Sequence, residues 1–559
     1  MPTPVRSSDA TLAMKSNSVF NIGRLLSSVQ CGRLFADSKD FVDMPLLCTP
    51  DELLSDYTKL AGGGGHVSRG RIHDFVHTHL AAAGSDLHAC TPSDYVPTPN
   101  ILGNISDTRI RDWALHVHGI WPDLCRQVSP EVESVPDRHS LLYIPHPFVI
   151  PGGRFREMYY WDNYWTIKGL LISNMTDTAL HIISNMAYMI TKYGFMPNGT
   201  RSYYLLRSQP PLFTYCVYEY VNATGDIDTA AHMLPAIEME LNWWAQNRSL
   251  ILDDGSVVYR YRSTQTAPRP ESYREDIDTC VFSGLDWRHV CMQIASAAES
   301  GWDFSTRWID GNAKGNNLHR SQRQRFHVTN ILPVDLNALI GGVHRLVAQL
   351  YVLTGNADWH RLHTDKYEQS RLTLRKHFWH EGDGMWYDMD MPSRNIIGSR
   401  ALTHRRSFYA SNLMPLFTRC NTGDPSELPS IISYLRQHGC LNAQGGLPMS
   451  LTQGGGEQWD WPNGFAPLVH IAVHGLCSDN TNAESIEVGH EICRKWLRTN
   501  YKTFIRTKQM YEKYDTMCDE SVAGEGGEYP VQLGFGWTNG VILDLLYNFG
   551  HLVRSIPDD

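Results

Sequence analysis

Val343-His-Arg-Leu-Val-Ala-Gln-Leu-Tyr-Val-Leu-Thr354 runs into Gly355-Asn356, and a second amphipathic stretch then continues to Phe378-Trp379. Just upstream and through this run, Leu336, Leu339, Ile340, Val343, Val347 and Leu350 recur at i, i+3, i+4, i+7, i+11 and i+14. That spacing puts them on one face of a helix that must be covered on that side. A glycine after the last periodic residue can close a helix, and the Asn that follows can start the next one. The unit occurs again: residues 215–224 lead through Gly225-Asp226 to a helix ending at Trp243-Trp244. Further helical patterns cover residues 178–192, 212–221, 229–247, 359–379, 484–500 and 540–549, while strand-like alternation is brief, as at 256–261. Repeated helix hairpins of this size predict an all-α chain of paired antiparallel helices in a ring or solenoid.

The composition is that of one large globular body: 42% hydrophobic, 19% charged, net charge −10. Its basic residues are scattered, which argues against a nucleic-acid footprint. Twelve Cys without a CxxC pair read as buried free thiols. No run approaches the length of a membrane span. Residues 1–20 lack the apolar centre of a secretory signal, and the chain closes on Ser-Ile-Pro-Asp-Asp without an anchoring tail. The expectation is a soluble protein, cytoplasmic as the sequence stands and secreted if the N-terminus is incomplete. Sequons at Asn104, Asn174, Asn198, Asn222 and Asn247 are too short a motif to decide between the two. Residues 1–140 are mixed and polar, and Gly62 to Gly65 lacks the Lys-Ser/Thr of a phosphate loop, so it reads as a turn. His77/His79 and His116/His118 lie at i, i+2 in helical surroundings and face different ways. No metal and no cofactor are expected.

Function should lie in the long polar connectors between hairpins, at 197–211, 264–274, 301–317, 445–462 and 515–536. The stretch Pro151-Gly-Gly-Arg-Phe-Arg-Glu-Met-Tyr-Tyr-Trp-Asp-Asn-Tyr-Trp165 combines arginines, carboxylates and aromatic rings with almost no aliphatic residue. Rings cover the apolar C–H face of a sugar, and Arg, Asp and Asn bind its hydroxyls. Cleaving a glycosidic bond takes one carboxylic acid and one carboxylate. Aromatic- or glycine-flanked acids in connectors are Asp162, Asp303, Asp460 and the group Glu512, Glu525 and Glu528. The residue types alone do not choose the acid from the base.

These segments resemble the trehalase family, the inverting α,α-trehalose glucohydrolases, in its animal-type branch. Its two signatures match residues 151–165 and 458–467, and 198–211, 269–271, 300–308, 511–515 and 526–540 are similar to further family segments. The likeness covers roughly residues 38 to 550, from Asp37-Ser-Lys-Asp-Phe-Val-Asp-Met-Pro45 onward. It implies an (α/α)6 barrel whose connecting loops form the active site, spanning 38–559 with a helical segment 38–140 packed on it, behind a flexible extension 1–37. It implies that Asp303 is the general acid and Glu512 the general base, on a small-molecule substrate, trehalose. By position, the glucose units would be bound by Arg154, Trp161, Asp162 and Asn198, by Arg207, Ser208 and Gln209, by Arg269, Pro270 and Glu271, and by Gly301 and Glu528. An inverting pair needs a raised pKa on the acid and a normal or lowered one on the base.

Three positions depart from the family pattern. Phe465 stands where Trp is usual, an exchange of packing more than chemistry; Glu525 interrupts a glycine run, adding charge and restricting φ; Leu533 replaces a polar residue. Competing readings are another inverting (α/α)6 glucosidase and a catalytically dead trehalose-binding homologue, although the latter should lack Asp303 or Glu512, and both are present.

Overall fold

The computed structural model describes residues 18–21, 23–62, 67–309, 325–392, 401–453, 456–478, 482–517 and 523–553. Helices dominate, and no described strand exceeds four residues. Four helices precede the first connector signature's hairpins: α1 (Arg24–Cys31), α2 (Ser38–Val42), α3 (Pro50–Ala61) and α4 (Arg69–His79), followed by α5 (Thr108–His118). The hairpin helices are α6 (Asp162–Ile172), α7 (Thr176–Tyr193), α8 (Phe213–Thr224), α9 (Ile227–Asn247), α10 (Tyr273–Ser283), α11 (Trp287–Glu299), α12 (Val334–Leu353) and α13 (Ala357–Thr373). The last group is α14 (Met414–Phe417), α15 (Glu427–Gln437), α16 (Ala466–Leu476), α17 (Ala483–Thr507) and α18 (Gly536–Phe549).

The two repeated units form as their sequences predict. Gly225 closes α8 at φ 74°, and Asp226 then caps α9 by accepting from Thr229 N at 3.0 Å. Gly355, also at positive φ, follows α12, and Asn356 caps α13 through Trp359 N. A left-handed residue costs glycine nothing, so each hairpin reverses where the sequence places one. Helix contacts run in a closed circuit: α6 packs on α8, α8 on α12, α12 on α14, α14 on α16, α16 on α18, and α18 back on α6. Helices α7, α9, α13 and α17 each pack against members of this circuit. The seam between α6 and α18 is the tightest, since a Cβ on Gly540 would stand 1.9 Å from the Trp165 carbonyl oxygen. By length and apolarity α12 passes for a membrane span, but most of it is buried inside the protein.

The N-terminal boundary falls elsewhere than expected. Residues 1–17 and Gly63 to Gly65 lie outside the described residues, but 18–37, expected to be part of a flexible extension, hold helix and core. Val19, Phe20, Leu25, Leu26 and Val29 are buried in an apolar cluster with Phe41, Leu53 and Phe75, and this cluster also takes in Tyr159, Tyr203 and Tyr204. The reason is short-range: Leu25, Leu26 and Val29 share one face of α1, a stripe that the surrounding Ser and Arg residues obscure. Beneath that cluster, Lys39, Asp43, Glu157 and Arg201 form a fully buried ion network, with Lys39 Nζ 2.8 Å from Glu157 and Tyr203 donating to Asp43 at 2.8 Å. An interior charge set of this kind holds only while every member is partnered.

Candidate active site

Connectors from six parts of the chain converge on one concave cavity, the kind of site that takes a small ligand. Its walls carry Arg154, Trp161, Asp162, Asn198, Arg207, Gln209, Arg269, Glu271, Gly301, Asp303, Glu512 and Glu528. Ser208 and Pro270 are not on the wall. Ser208 sits behind it, its hydroxyl donating to Met196 O and its N–H to Glu299 Oε1, which in turn is clamped by Arg248. Pro270 is buried and turns its carbonyl toward Gln30 of α1.

Every arginine on the wall is already matched. Arg154 is held by Asp37 at 2.6 and 2.8 Å and lies over the Tyr529 ring. Arg207 pairs with Glu271, and Arg269 with Asp276 and Glu528. Among the described residues no cation forms an ion pair with Asp162, Asp303 or Glu512. With the guanidinium charge spent elsewhere, desolvation governs these three carboxyl groups and favours their neutral forms. Asp303, opening onto the cavity from a wall of protein, is pushed up to about 7, with Arg269 opposing and Glu528 reinforcing the shift. Burial raises Asp162 well above the carboxylate range, and the neighbouring Glu512 and Asp303 add to it.

Glu512 is also raised, against the expectation of a normal or lowered value. It is only 2% exposed, and that burial outweighs Lys513, the Tyr529 hydroxyl donating to Oε1 at 3.1 Å and the Gln532 N–H facing Oε2 at 3.4 Å. The two donors fix the carboxylate's orientation. Its backbone is fixed as well, because strand β1 (Asn463–Phe465) from the second signature pairs antiparallel with strand β2 (Lys513–Asp515), Phe465 opposite Lys513. Lys513 donates to Gln458 Oε1 at 3.1 Å, and Gln458 Nε2 donates to the Asp303 carbonyl at 2.6 Å. The connectors carrying Asp303 and Glu512 are thus tied through one glutamine.

The other acids sort by their partners. Asp460 faces away from the cavity and braces the turn after Asp303, accepting from Thr306 N at 2.7 Å and from the Ser305 and Thr306 hydroxyls at 2.9 Å. The Glu525 backbone exchanges hydrogen bonds with the Asn463 side-chain amide, Nδ2 donating to its carbonyl and Oδ1 accepting from its N–H, and its φ is ordinary. Its restricted φ is accommodated, since positive φ falls on Gly526 and Gly527 and not on the glutamate. Phe465 stacks face to face on Trp459, centroids 3.7 Å apart, and Trp459 lines the cavity. Gly301 has φ 76° and lies so close to the Trp161 indole that a Cβ would meet it at 2.6 Å. Composition alone did not single out Asp37, Gln458, Tyr529 or Trp537; Tyr529 and Trp537 do flank Glu528 and Gly536 in a segment already under suspicion.

A helical scaffold whose connectors bring unpaired carboxyl groups, matched arginines and aromatic rings to one cavity defines a glycoside hydrolase. Residues 33–550 match the profile of the family described as Trehalase. The chain is 38% identical over 538 residues to the trehalase of Oryctolagus cuniculus, covering 95% of this chain and 90% of that protein. It is 37% identical to the trehalase of Homo sapiens over 95% of this chain and 89% of that one. The chain belongs to the trehalase family. Among solved structures, neutral trehalase from Saccharomyces cerevisiae superposes with a TM-score of 0.58 at 22% identity, over 76% of this chain and 81% of that one, a likeness of fold.

Proposed function

We propose that this chain hydrolyses α,α-trehalose to two glucose molecules with inversion, Asp303 acting as general acid and Glu512 as general base, on an (α/α)6 barrel formed by the closed circuit of inner helices. The observation that carries the assignment is the unequal support of two carboxyl groups on one cavity. Asp303 lacks a basic partner and keeps its proton up to about pH 7, so it can protonate the glycosidic oxygen. Glu512 is held by two donors that suit its charged form, so it can take a proton from a water attacking the anomeric carbon on the opposite face. Bond cleavage leaves Asp303 ionised and Glu512 protonated, and exchange with solvent restores both. The matched arginines, with Asp162, Glu271 and Glu528, would bind sugar hydroxyls, while Trp161, Trp459 and Tyr529 cover ring faces.

Anomer-resolved NMR on fresh trehalose tests mechanism and substrate together. Inversion at one glucose and retention at the other give equal α and β product at early times; only α product would refute the assignment. Turnover of trehalose but not maltose or sucrose is expected. Asp303→Asn and Glu512→Gln should each lower kcat by about 10²–10⁴ with the fold intact.

A further inference from the structure

Away from the cavity, on the faces where α16, α18, α6 and α8 meet, three potential ligands converge. His470 and His474, one turn apart on α16, share a face, and Asp544 of α18 points between them. The nitrogen and oxygen donors all lie within 4.8 Å of one another. His474 Nε2 is 2.6 Å and His470 Nε2 3.2 Å from the same Asp544 Oδ2. None of the three lines the cavity.

We propose that His470, His474 and Asp544 form a binding site for a divalent transition metal of the zinc type, stapling α16 to α18. His470 is 1% exposed; its Nε2 has only the shared Asp544 Oδ2, and its Nδ1 makes no hydrogen bond. A buried ring nitrogen left without a partner costs stability, and a metal at this cluster would relieve the crowding of two imidazoles on one oxygen. The carboxylate is divided as metal-binding carboxylates are: Oδ1 is occupied by Lys168 Nζ at 3.2 Å and Asn548 Nδ2 at 3.3 Å, leaving Oδ2 to the histidines. Lys168 does not make the site cationic, because Glu219 on α8 matches it at 3.1 Å. The formal charges of Asp544, Glu219 and Lys168 sum to a single negative charge, which favours a dication. His474 is 25% exposed and gives an ion its way in. Two imidazoles and one carboxylate leave room for water as a fourth ligand, the donor set zinc accepts.

The full chain, stripped with a chelator, is titrated with cobalt(II) and then zinc(II). One equivalent of cobalt should give the visible absorption of a tetrahedral N/O site, which zinc bleaches. Saturating zinc should raise the thermal midpoint by about 1–2 °C, the shift expected for a chain this long. His474→Ala, at a partly exposed position, should lower cobalt affinity at least tenfold and abolish the thermal shift, with glucose release unchanged. His470→Gln should do the same to the metal signals. Absence of a cobalt spectrum at millimolar metal, or a spectrum and affinity that survive His474→Ala, overturns the proposal.

Discussion

Replacing Asp37 with Ala tests how far the N-terminal segment belongs to the catalytic cavity. One Asp37 carboxylate serves two masters: Oδ1 accepts from Lys39 N at 2.8 Å to start α2 and from Arg154 Nη2 at 2.8 Å, while Oδ2 accepts from Arg154 Nε at 2.6 Å. Burial raises the Asp37 pKa, but Arg154 outweighs it, and the carboxylate stays charged. Removal leaves the guanidinium, 12% exposed, with a long contact to the Glu271 carbonyl and the face of Tyr529. A hydrogen bond to a charged group contributes about 1.5–3 kcal/mol. Asp37 is 27% exposed, so water compensates in part, and the lower end of that range, about 1.5 kcal/mol for the pair, applies. That corresponds to roughly a tenfold loss of kcat/KM. On the proposed role of Arg154 as a binding group for substrate in ground and transition state alike, KM should carry most of it. Initial-rate glucose release across a trehalose series measures both constants, and circular dichroism monitors the fold. A variant within twofold of wild type, or one that loses kcat at constant KM, refutes the coupling.

Four further outcomes are expected. kcat/KM should fall about tenfold per pH unit above about pH 7 as Asp303 loses its proton, and on the acid side from above the ordinary glutamate value as Glu512 gains one; Asp303→Asn should remove the alkaline limb. Gly540→Ala should destabilise by about 3 kcal/mol in urea denaturation, because its methyl meets the Trp165 carbonyl, which is backbone and cannot swing away. Lys39→Met, which removes one of the two fully buried cations that hold Asp43 and Glu157, should cost about 3 kcal/mol by the same measurement. Glu525→Gly should leave kcat/KM within twofold, as that position carries no strain to relieve.

What could be read in advance was local. The period of 336–350 and the Gly-Asp and Gly-Asn reversals specify helix hairpins within a few residues, and the chemistry of 151–165 announces a sugar-facing wall. Long-range pairing was not legible. Asp303 and Asp460 look alike in sequence, each beside a tryptophan in a connector; what separates them is that Ser305 and Thr306 fold onto Asp460, 155 and 154 residues away. The depressed pKa expected for Glu512 rested on arginines nearby in kind, and Asp37, Glu271 and Asp276 have already claimed them. Ser208 stands next to wall residues yet faces inward, since successive residues of an extended connector point to opposite sides. His470 and His474 drew no notice because Asp544 lies 70 residues on.

The bridge from Lys513 through Gln458 to the Asp303 carbonyl has a thermal consequence. Two short strands and one amide side chain link the connectors that carry Asp303 and Glu512, while the helices around them are long and deeply covered. Short strand pairs open at lower free energy than packed helices. On warming, the link between the two connectors should loosen first, so heat will silence the enzyme while its helical signal is still whole.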